Sequence, residues 1–539
     1  MDRGGLCIVL HAHLPYVHHP EYEHFFEERW LFEAITECYL PLLSMCERLN
    51  RDRVRYRLTL SLSPTLLTML NDELLQQRYV RHLQGLIRLA EQEVSRTRKQ
   101  AEYQYLARLY RRNFKAALQR YREDYDCDLV AAFKKQAELG GLELITCAAT
   151  HGFLPLLNVS ESAVRNQINM GVETFKQCFG FMPKGFWLPE CGYYPGLETL
   201  LDEADLRYFF VDSHGLTQAS PQSENGVYAP IACTNGVAAF ARDPESSRQV
   251  WSAQEGYPGD GDYREYHCDI GYDSTIPESY LAPYLLEETI RVPVGIKYQR
   301  VTGGGGPKAA YRPRQALMKA RQHAQDFYLK RQRQLDDLSY RMRKSPIIVA
   351  PYDAELFGHW WFEGPQWLEF LLRLVGGNKL GMQSVSGSDY LSRFQNLQTA
   401  TPSASSWGEQ GYSGYWLNET NAWIYPVLHK SAMLMEELAE EFQQAPRFSL
   451  EERALNQAAR SLLLAQASDW PFIMKSGTTV EYAKKRILDH LARFNYLQES
   501  VRTDTINEHY LTALEVMDDI FPMLDFRTYK NTTADNILS

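Results

Sequence analysis

Cysteine is scarce in this chain. Its 539 residues include nine, an odd number, with no Cys-x-x-Cys spacing and none beyond Cys268. That pattern excludes a disulfide framework and a zinc knuckle, and it fits a reducing compartment. Basic charge is not in excess either. The 57 Lys and Arg fall short of the 67 Asp and Glu, leaving a net charge of -10, which argues against nucleic acid or anionic lipid as the main partner. No stretch approaches the roughly 20 apolar residues of a membrane span. The apolar run near the N-terminus, Leu6 to Leu10, is too short for a signal peptide, so the expectation is a cytoplasmic protein without a membrane partner. The glycine run from Thr302 to Pro307 lacks the Gly-Lys-Thr/Ser ending of a phosphate loop, which speaks against nucleotide binding.

Aromatic residues are plentiful, at 12% with 33 tyrosines and 10 tryptophans. Such rings serve carbohydrate sites as flat apolar platforms, and Tyr also fills ordinary cores. Hydrophobic content of 45% and charged content of 23% are those of a soluble globular protein, and the length predicts two or three units.

The strongest internal pattern is a repetition. Five short apolar runs read as strands buried on both faces, and each ends in His, Asp or Glu. Leu6–Leu10 leads into His11 and His13, and Leu142–Ala148 leads to His151. Lys184–Pro189, carrying Trp187, presents Glu190, and Arg207–Val211 ends in Asp212 and His214. Ile347–Ala350 delivers Tyr352, Asp353 and Glu355, followed by His359, Trp360 and Trp361. Any one of these is equally a core strand with a capping residue. Five together point to an enzyme, because parallel α/β folds and barrels assemble their sites at the C-terminal ends of the strands.

Other segments set the organisation. Trp30–Leu43 predicts an amphipathic helix with Pro41 near its end. From Asp72 to Leu139 the chain is rich in helix formers and nearly free of Gly and Pro, predicting long helices with Leu83, Leu86, Ile87 and Ala90 on one apolar face. Residues 215–300 are turn-rich and read as an inserted subdomain, with its part from Val227 to Trp251 a candidate cover for the site. Ala309–Arg341 predicts a long helix. After Thr399, Ser403–Gly408 looks like a linker, and Asn418–Phe442 and Ser449–Phe494 are helical. The expected division is a catalytic unit over 1–400 and a helical unit over 401–539.

Splitting a glycosidic bond takes two carboxyl groups, one protonated and one ionised. A gap of roughly 5 Å permits a covalent sugar ester and retention, and a wider one admits water and gives inversion. Glu190 and Asp353 are the acids that stand at strand ends among aromatics. Their motifs, Trp187-Leu-Pro-Glu-Cys-Gly-Tyr193 and Pro351-Tyr-Asp-Ala-Glu-Leu-Phe-Gly-His-Trp360, together with His11-Ala-His-Leu-Pro15 and Trp407-Gly408, resemble those of glycoside hydrolase family 57. The likeness runs in order from residue 11 to about 490 and is greatest to the family's α-1,4-glucan branching enzymes.

That resemblance implies a distorted (β/α)7 barrel with an inserted subdomain and a C-terminal all-helical domain. It implies a retaining double displacement that opens α-1,4 links and forms α-1,6 branches, with Glu190 as nucleophile and Asp353 as general acid and base. His11, His13 and His151 fall on its pattern as hydrogen-bonding groups around the bound glucose, and Arg264, Trp407 and Asp469 as further substrate contacts. Trp187, Asp212, His214, His359 and Trp360, at or beside the strand ends, complete the candidate substrate-binding set. The expected partner is an α-1,4-glucan, the expected state a monomer, and no metal or cofactor is called for. Three other readings stand beside it: an amylase-type retaining hydrolase whose cover admits water, a metal-dependent hydrolase or deacetylase using His11, His13, His151, Asp212 and His214, and a non-catalytic glucan-binding protein.

Overall fold

In the computed structural model the described residues are 4–252, 255–303, 308–377 and 381–530. The glycines of the 302–307 run fall partly outside them. Ten strands form one curled sheet: β1 (Gly5–Ala12), β2 (Leu58–Leu62), β3 (Leu142–Cys147), β4 (Gly185–Trp187), β5 (Tyr208–Val211), β6 (Ile231–Ala232), β7 (Ala238–Ala241), β8 (Ile347–Asp353), β9 (Gln383–Ser384) and β10 (Gln398–Thr399). The order across the sheet is β10-β6-β7-β5-β4-β3-β2-β1-β8, with β9 also on β1. Seven of these strands, β1 to β5 with β7 and β8, run parallel and carry the barrel-like half. This is the distorted barrel the family resemblance implies, with β8 and β10 at the two ends of the strand order.

Local sequence explains the strands. β1 is buried at all eight positions because helices cover both faces of a parallel sheet, which removes any need for polar alternation. Its register sets His11 beside Asp353 on β8 and beside Ser61 on β2. The helices expected after β2 are present as Glu73–Arg96, Ala101–Gln119 and Leu129–Glu138, and Leu83, Leu86 and Ala90 are buried along one face.

Three expectations change. The helix predicted over Trp30–Leu43 is interrupted by one turn of π-helix at Ile35–Tyr39, flanked by Arg29–Ala34 and Leu40–Arg51. The insert does not begin at 215. Residues 231–241 pair within the sheet as β6 and β7, and β7 is buried at all four positions, so much of the stretch from Val227 to Trp251 is barrel rather than cover. The insert proper lies between β7 and the helix Pro313–Arg341. Ser403–Gly408 is not a free linker. It is a strap across the strand ends: Ser405 pairs with Tyr193, Ser403 N–H donates to Gly215 O over 2.8 Å, and Trp407 N–H donates to Glu190 O over 3.0 Å.

The C-terminal helices Ile424–Glu441, Leu450–Ala465, Asp469–Ser476, Val480–Arg502 and Glu508–Met517 share the barrel's main core. Leu462, Phe494 and Leu497 belong to the same buried cluster as Leu10, Leu60 and Ile348. No helix among the described residues is long and apolar enough to cross a membrane.

Candidate active site

The site is built where β1, β3, β4, β5, β7 and β8 end. At β1, His11 bonds Ser61 Oγ through Nδ1 at 3.1 Å and His151 Nε2 at 2.9 Å. His13 bonds Ser63 Oγ at 2.9 Å and both Asp469 oxygens at 3.1 Å. His151 Nδ1 lies 2.8 Å from Ser468 Oγ. The three rings stack, His13 on His151 at 3.9 Å between centroids and 12° apart, and His11 lies on Trp187 at 4.9 Å. Burial pushes His11 and His151 well below the usual imidazole range, with His13 adding to it. Both are therefore neutral hydrogen-bonding walls.

Glu190 sits in a tight turn directly after β4 with φ 60°, and Cys191 and His151 also lie in the left-handed region, at φ 51° and 57°. For non-glycine residues such backbone costs about 1–3 kcal/mol each and persists where the surroundings over-determine it. The strap supplies that restraint. Trp407 donates its indole N–H to Glu190 Oε2 over 2.7 Å as well as its backbone N–H to Glu190 O. Burial raises the Glu190 carboxyl to about 8. The Trp407 N–H opposes this, Asp353 and Asp469 add to it, and Ser468 opposes it.

Asp353 is the last residue of β8. Burial raises its carboxyl to about 7, against His13 and Arg242. Arg242, just past β7, pairs with Asp212 Oδ2 at 2.7 Å and lies over Trp407 at 5.8 Å from the ring centroid. Glu355 follows. Its Oε1 accepts from Tyr39 Oη over 2.6 Å, and burial raises this carboxyl to about 8 with Tyr39 opposing.

The loop after β8 is clamped to the π-helical turn, the kind of irregularity that recurs at functional sites. Gly358, at φ +117°, lies so close that a Cβ there would stand 1.8 Å from Glu37 O. Glu37 Oε2 bonds His359 Nδ1 at 2.7 Å, and His359 Nε2 bonds Tyr266 Oη at 3.1 Å. Burial works against the Glu37 carboxylate, but Arg264, Lys297 and His359 outweigh it and hold it below the usual range. Trp360, 59% exposed, stacks on Tyr266 at 5.5 Å and 8°.

Not every expected contact faces the cleft. Trp187 is fully buried beneath His11 and 5.0 Å from Trp407, so it supports other rings and meets no substrate. The Arg264 side chain is 1% exposed and bonds Glu37 at 3.1 Å, which places it behind His359. His214 bonds Asp212 at 3.2 Å and Gly411 O at 2.7 Å, bracing the strap. The five residues of the metal reading do not gather as one ligand set: Asp212 is taken by Arg242 and His214, and the His11 and His151 Nε2 atoms already bond each other. His11, Cys147 and His151 do lie within reach of a shared ion, their donor atoms within 4.8 Å. Burial holds the Cys147 thiol well above its ordinary value, and the two histidines spend their Nε2 atoms on each other.

Arg242, Glu355, Tyr39 and Ser468 were missed from the candidate set. Arg242 and Glu355 follow apolar runs as the other strand-end residues do, so the same pattern contained them. Tyr39 lies in a helical stretch and Ser468 in the short turn before the helix Asp469–Ser476, and neither carries such a signal.

With this geometry in view, the comparisons with known proteins agree on one family. The family model for glycosyl hydrolase family 57 matches residues 7–402, and that for the C-terminal region of 1,4-alpha-glucan branching enzymes matches 427–529. A 1,4-alpha-glucan branching enzyme of Thermococcus kodakarensis is 34% identical over 96% of this chain and 77% of its own length. Among solved structures, the alpha-amylase AmyC of Thermotoga maritima is 44% identical with a TM-score of 0.91, covering 98% of this chain and 99% of its own. The branching enzyme of Pyrococcus horikoshii is 32% identical with a TM-score of 0.87, covering 98% of this chain and 97% of its own. The chain belongs to glycosyl hydrolase family 57.

Proposed function

We propose that this family 57 enzyme is a 1,4-alpha-glucan branching enzyme working by retaining double displacement. The observation that carries the reading is the unequal pair of half-buried carboxyls at the ends of β4 and β8. Glu190 has a fixed indole donor, whereas Asp353 has only the charges of His13 and Arg242 opposing its burial. The relatives named as branching enzymes, and the match of residues 427–529 to that group's C-terminal region, support the acceptor being a sugar hydroxyl.

In the first step the ionised Glu190 attacks the anomeric carbon of an α-1,4-linked chain. The C1–O4 bond breaks, and Asp353 gives its proton to O4. The donor glucan is then held as an ester. In the second step ionised Asp353 takes the proton of a 6-hydroxyl on another chain; O6 bonds C1, the ester opens and Glu190 is released. This needs Glu190 ionised while Asp353 is protonated, whereas burial leaves Glu190 near 8 and Asp353 near 7. A glycosidic oxygen beside Asp353 accepts a hydrogen bond from its O–H and so favours the protonated form there. The indole N–H and Ser468 already act within the value near 8 of Glu190, so it is the bound substrate at Asp353 that sets the order. His13 and Asp469, the more open members of the cluster, meet the sugar at the cleavage point with His11 and His151 stacked behind them, and Trp407, His359 and Trp360 flank it.

The nine free cysteines, six of them buried, support a reducing, cytoplasmic setting, where the product is a glycogen-like or starch-like glucan.

One observation favours a second reading, a retaining α-amylase-type hydrolase: the 44% identical solved structure bears that name. Incubation with amylose, followed by proton NMR and a reducing-end assay, separates the two. Growth of the α-1,6 anomeric signal with few new reducing ends is the expected result. New reducing ends without that signal make the enzyme a hydrolase, and a β-configured first product overturns retention.

A further inference from the structure

A cavity of about 1060 Å³ opens between the segment 22–32 after β1, the helix Glu73–Arg96 and the insert segment 282–294. None of the residues assigned to catalysis or substrate binding lines it. Its walls are aromatic at Tyr22, Phe25, Phe26 and Tyr284, and Tyr22 is 48% exposed. Four arginines and four glutamates line it in balance, and Glu28 and Arg78 among them are ion-paired. A charge-balanced hollow offers no net field to an anion or a cation. Flat rings with many hydrogen-bonding groups suit a neutral, polyhydroxylated ligand.

The floor carries a second signal. Gly85 lies inside the helix Glu73–Arg96, where glycine weakens the helix. No close protein contact explains it: the nearest heavy atom to a Cβ built there is the Arg88 guanidinium at 3.8 Å. The missing side chain keeps space open inside the cavity rather than letting another part of the fold approach.

A run of packed rings leads from the cavity wall toward the catalytic residues. Phe25 stacks on His19 at 3.6 Å and stands 5.9 Å from Tyr482. Tyr482 is 6.2 Å from Trp470, next to Asp469, which bonds His13. We infer that the cavity is a second glucan-binding site, holding an outer stretch of the α-glucan whose other part lies in the catalytic cleft. It rests on the substrate class proposed above. Its effect is one of tethering, since a chain held at two places re-enters the cleft at high local concentration.

The test is affinity electrophoresis of the full chain in amylopectin gels, with turnover on maltotetraose alongside. Tyr22→Ala and the cavity-filling Gly85→Phe should each weaken amylopectin retention roughly tenfold, the loss of about one stacking contact, and leave maltotetraose turnover unchanged. Gly85→Ala, whose methyl fits, should match the parent. Unchanged retention in both Tyr22→Ala and Gly85→Phe overturns the inference, as does an equal loss on maltotetraose or a Gly85→Ala defect as large as that of Gly85→Phe. The readouts separate this inference from the branching proposal. Weakened retention in an enzyme that forms no α-1,6 links sinks branching and keeps the cavity site; normal branching with unmoved retention does the opposite.

Discussion

The two rims of the cleft are held in place by different means. On the Glu190 side the restraint is backbone: left-handed residues at 151, 190 and 191, and a strap that bonds Glu190 through both backbone and indole N–H groups of Trp407. On the Asp353 side it is side-chain charge, with Glu37, His359, Arg264 and Tyr266 linked behind an exposed Trp360 and anchored on one π-helical turn. A carboxyl that must attack one carbon needs a fixed direction. One that must serve first a leaving oxygen and then an incoming hydroxyl needs a surface on which acceptors are exchanged. The contrast between the rims matches those two tasks.

The sharpest break of the comparison is to neutralise each acid. Glu190→Gln should lower kcat/KM on amylose by on the order of 10⁴-fold with gel retention by amylopectin kept. Asp353→Asn should cost about 10²–10⁴-fold. A maltoside with a nitrophenolate leaving group tells them apart, because that oxygen departs without a proton. Ester formation should recover in Asp353→Asn and stay lost in Glu190→Gln. Equal losses on both substrates would erase the distinction between the rims.

Trp407→Phe keeps the ring and removes the indole donor. The N–H stabilises the ionised Glu190, so without it the carboxyl rises further. The acidic limb of kcat/KM, which follows Glu190 ionisation, should move to higher pH, with a loss of roughly tenfold near pH 6, about what one hydrogen bond to a charged group is worth. An unmoved limb would mean that the strap only packs against Glu190.

Trp360→Ala tests the other rim at a smaller scale. The ring stands seven residues beyond Asp353 and is braced by Tyr266, on the side where acceptors are exchanged. The ratio of α-1,6 links to new reducing ends should fall about threefold, in line with a stacking contact of under one kcal/mol at an exposed site, while total cleavage of α-1,4 links stays near the parent value. A fall in cleavage with a constant ratio would assign Trp360 to the donor chain instead.

How far the sequence reached divides along the same line. The barrel was legible because a parallel sheet covered on both faces leaves continuous apolar runs, and its functional residues follow those runs directly. Glu355 and Arg242 obey the same rule. The Trp407 strap was not legible as such: Ser403–Gly408 has the composition of a linker, and only tertiary pairing with Tyr193 and Glu190 makes it a wall. Nor was the π-helical turn, since Ile35–Tyr39 keeps a helical pattern and the close approach of Gly358 to Glu37 O is a tertiary contact. Trp187 and Arg264 show the limit of reading chemistry from residue type. A tryptophan beside a candidate catalytic acid and an arginine among tyrosines look like substrate contacts until burial sets both behind the surface.

The smallest expected effect concerns stability. Glu355 is the acid that the proposed chemistry leaves unused, and burial raises it from an ordinary 4.5 to about 8. A raised carboxyl means that the folded chain holds a proton the unfolded chain releases. Its contribution is fully present below pH 4.5 and is lost as pH rises through 8, so part of the enzyme's decline in stability across that window comes from Glu355. Glu355→Gln keeps an acceptor for Tyr39 and removes the titration. Calorimetry at pH 5 and pH 8.5 should show a decline in Tm smaller by about one or two degrees than in the parent, with Tm at pH 5 little changed. An unchanged decline would show that Glu355 is already ionised in the folded enzyme. The β8 rim would then carry a negative charge beside Asp353, and raising that acid would be partly Glu355's task.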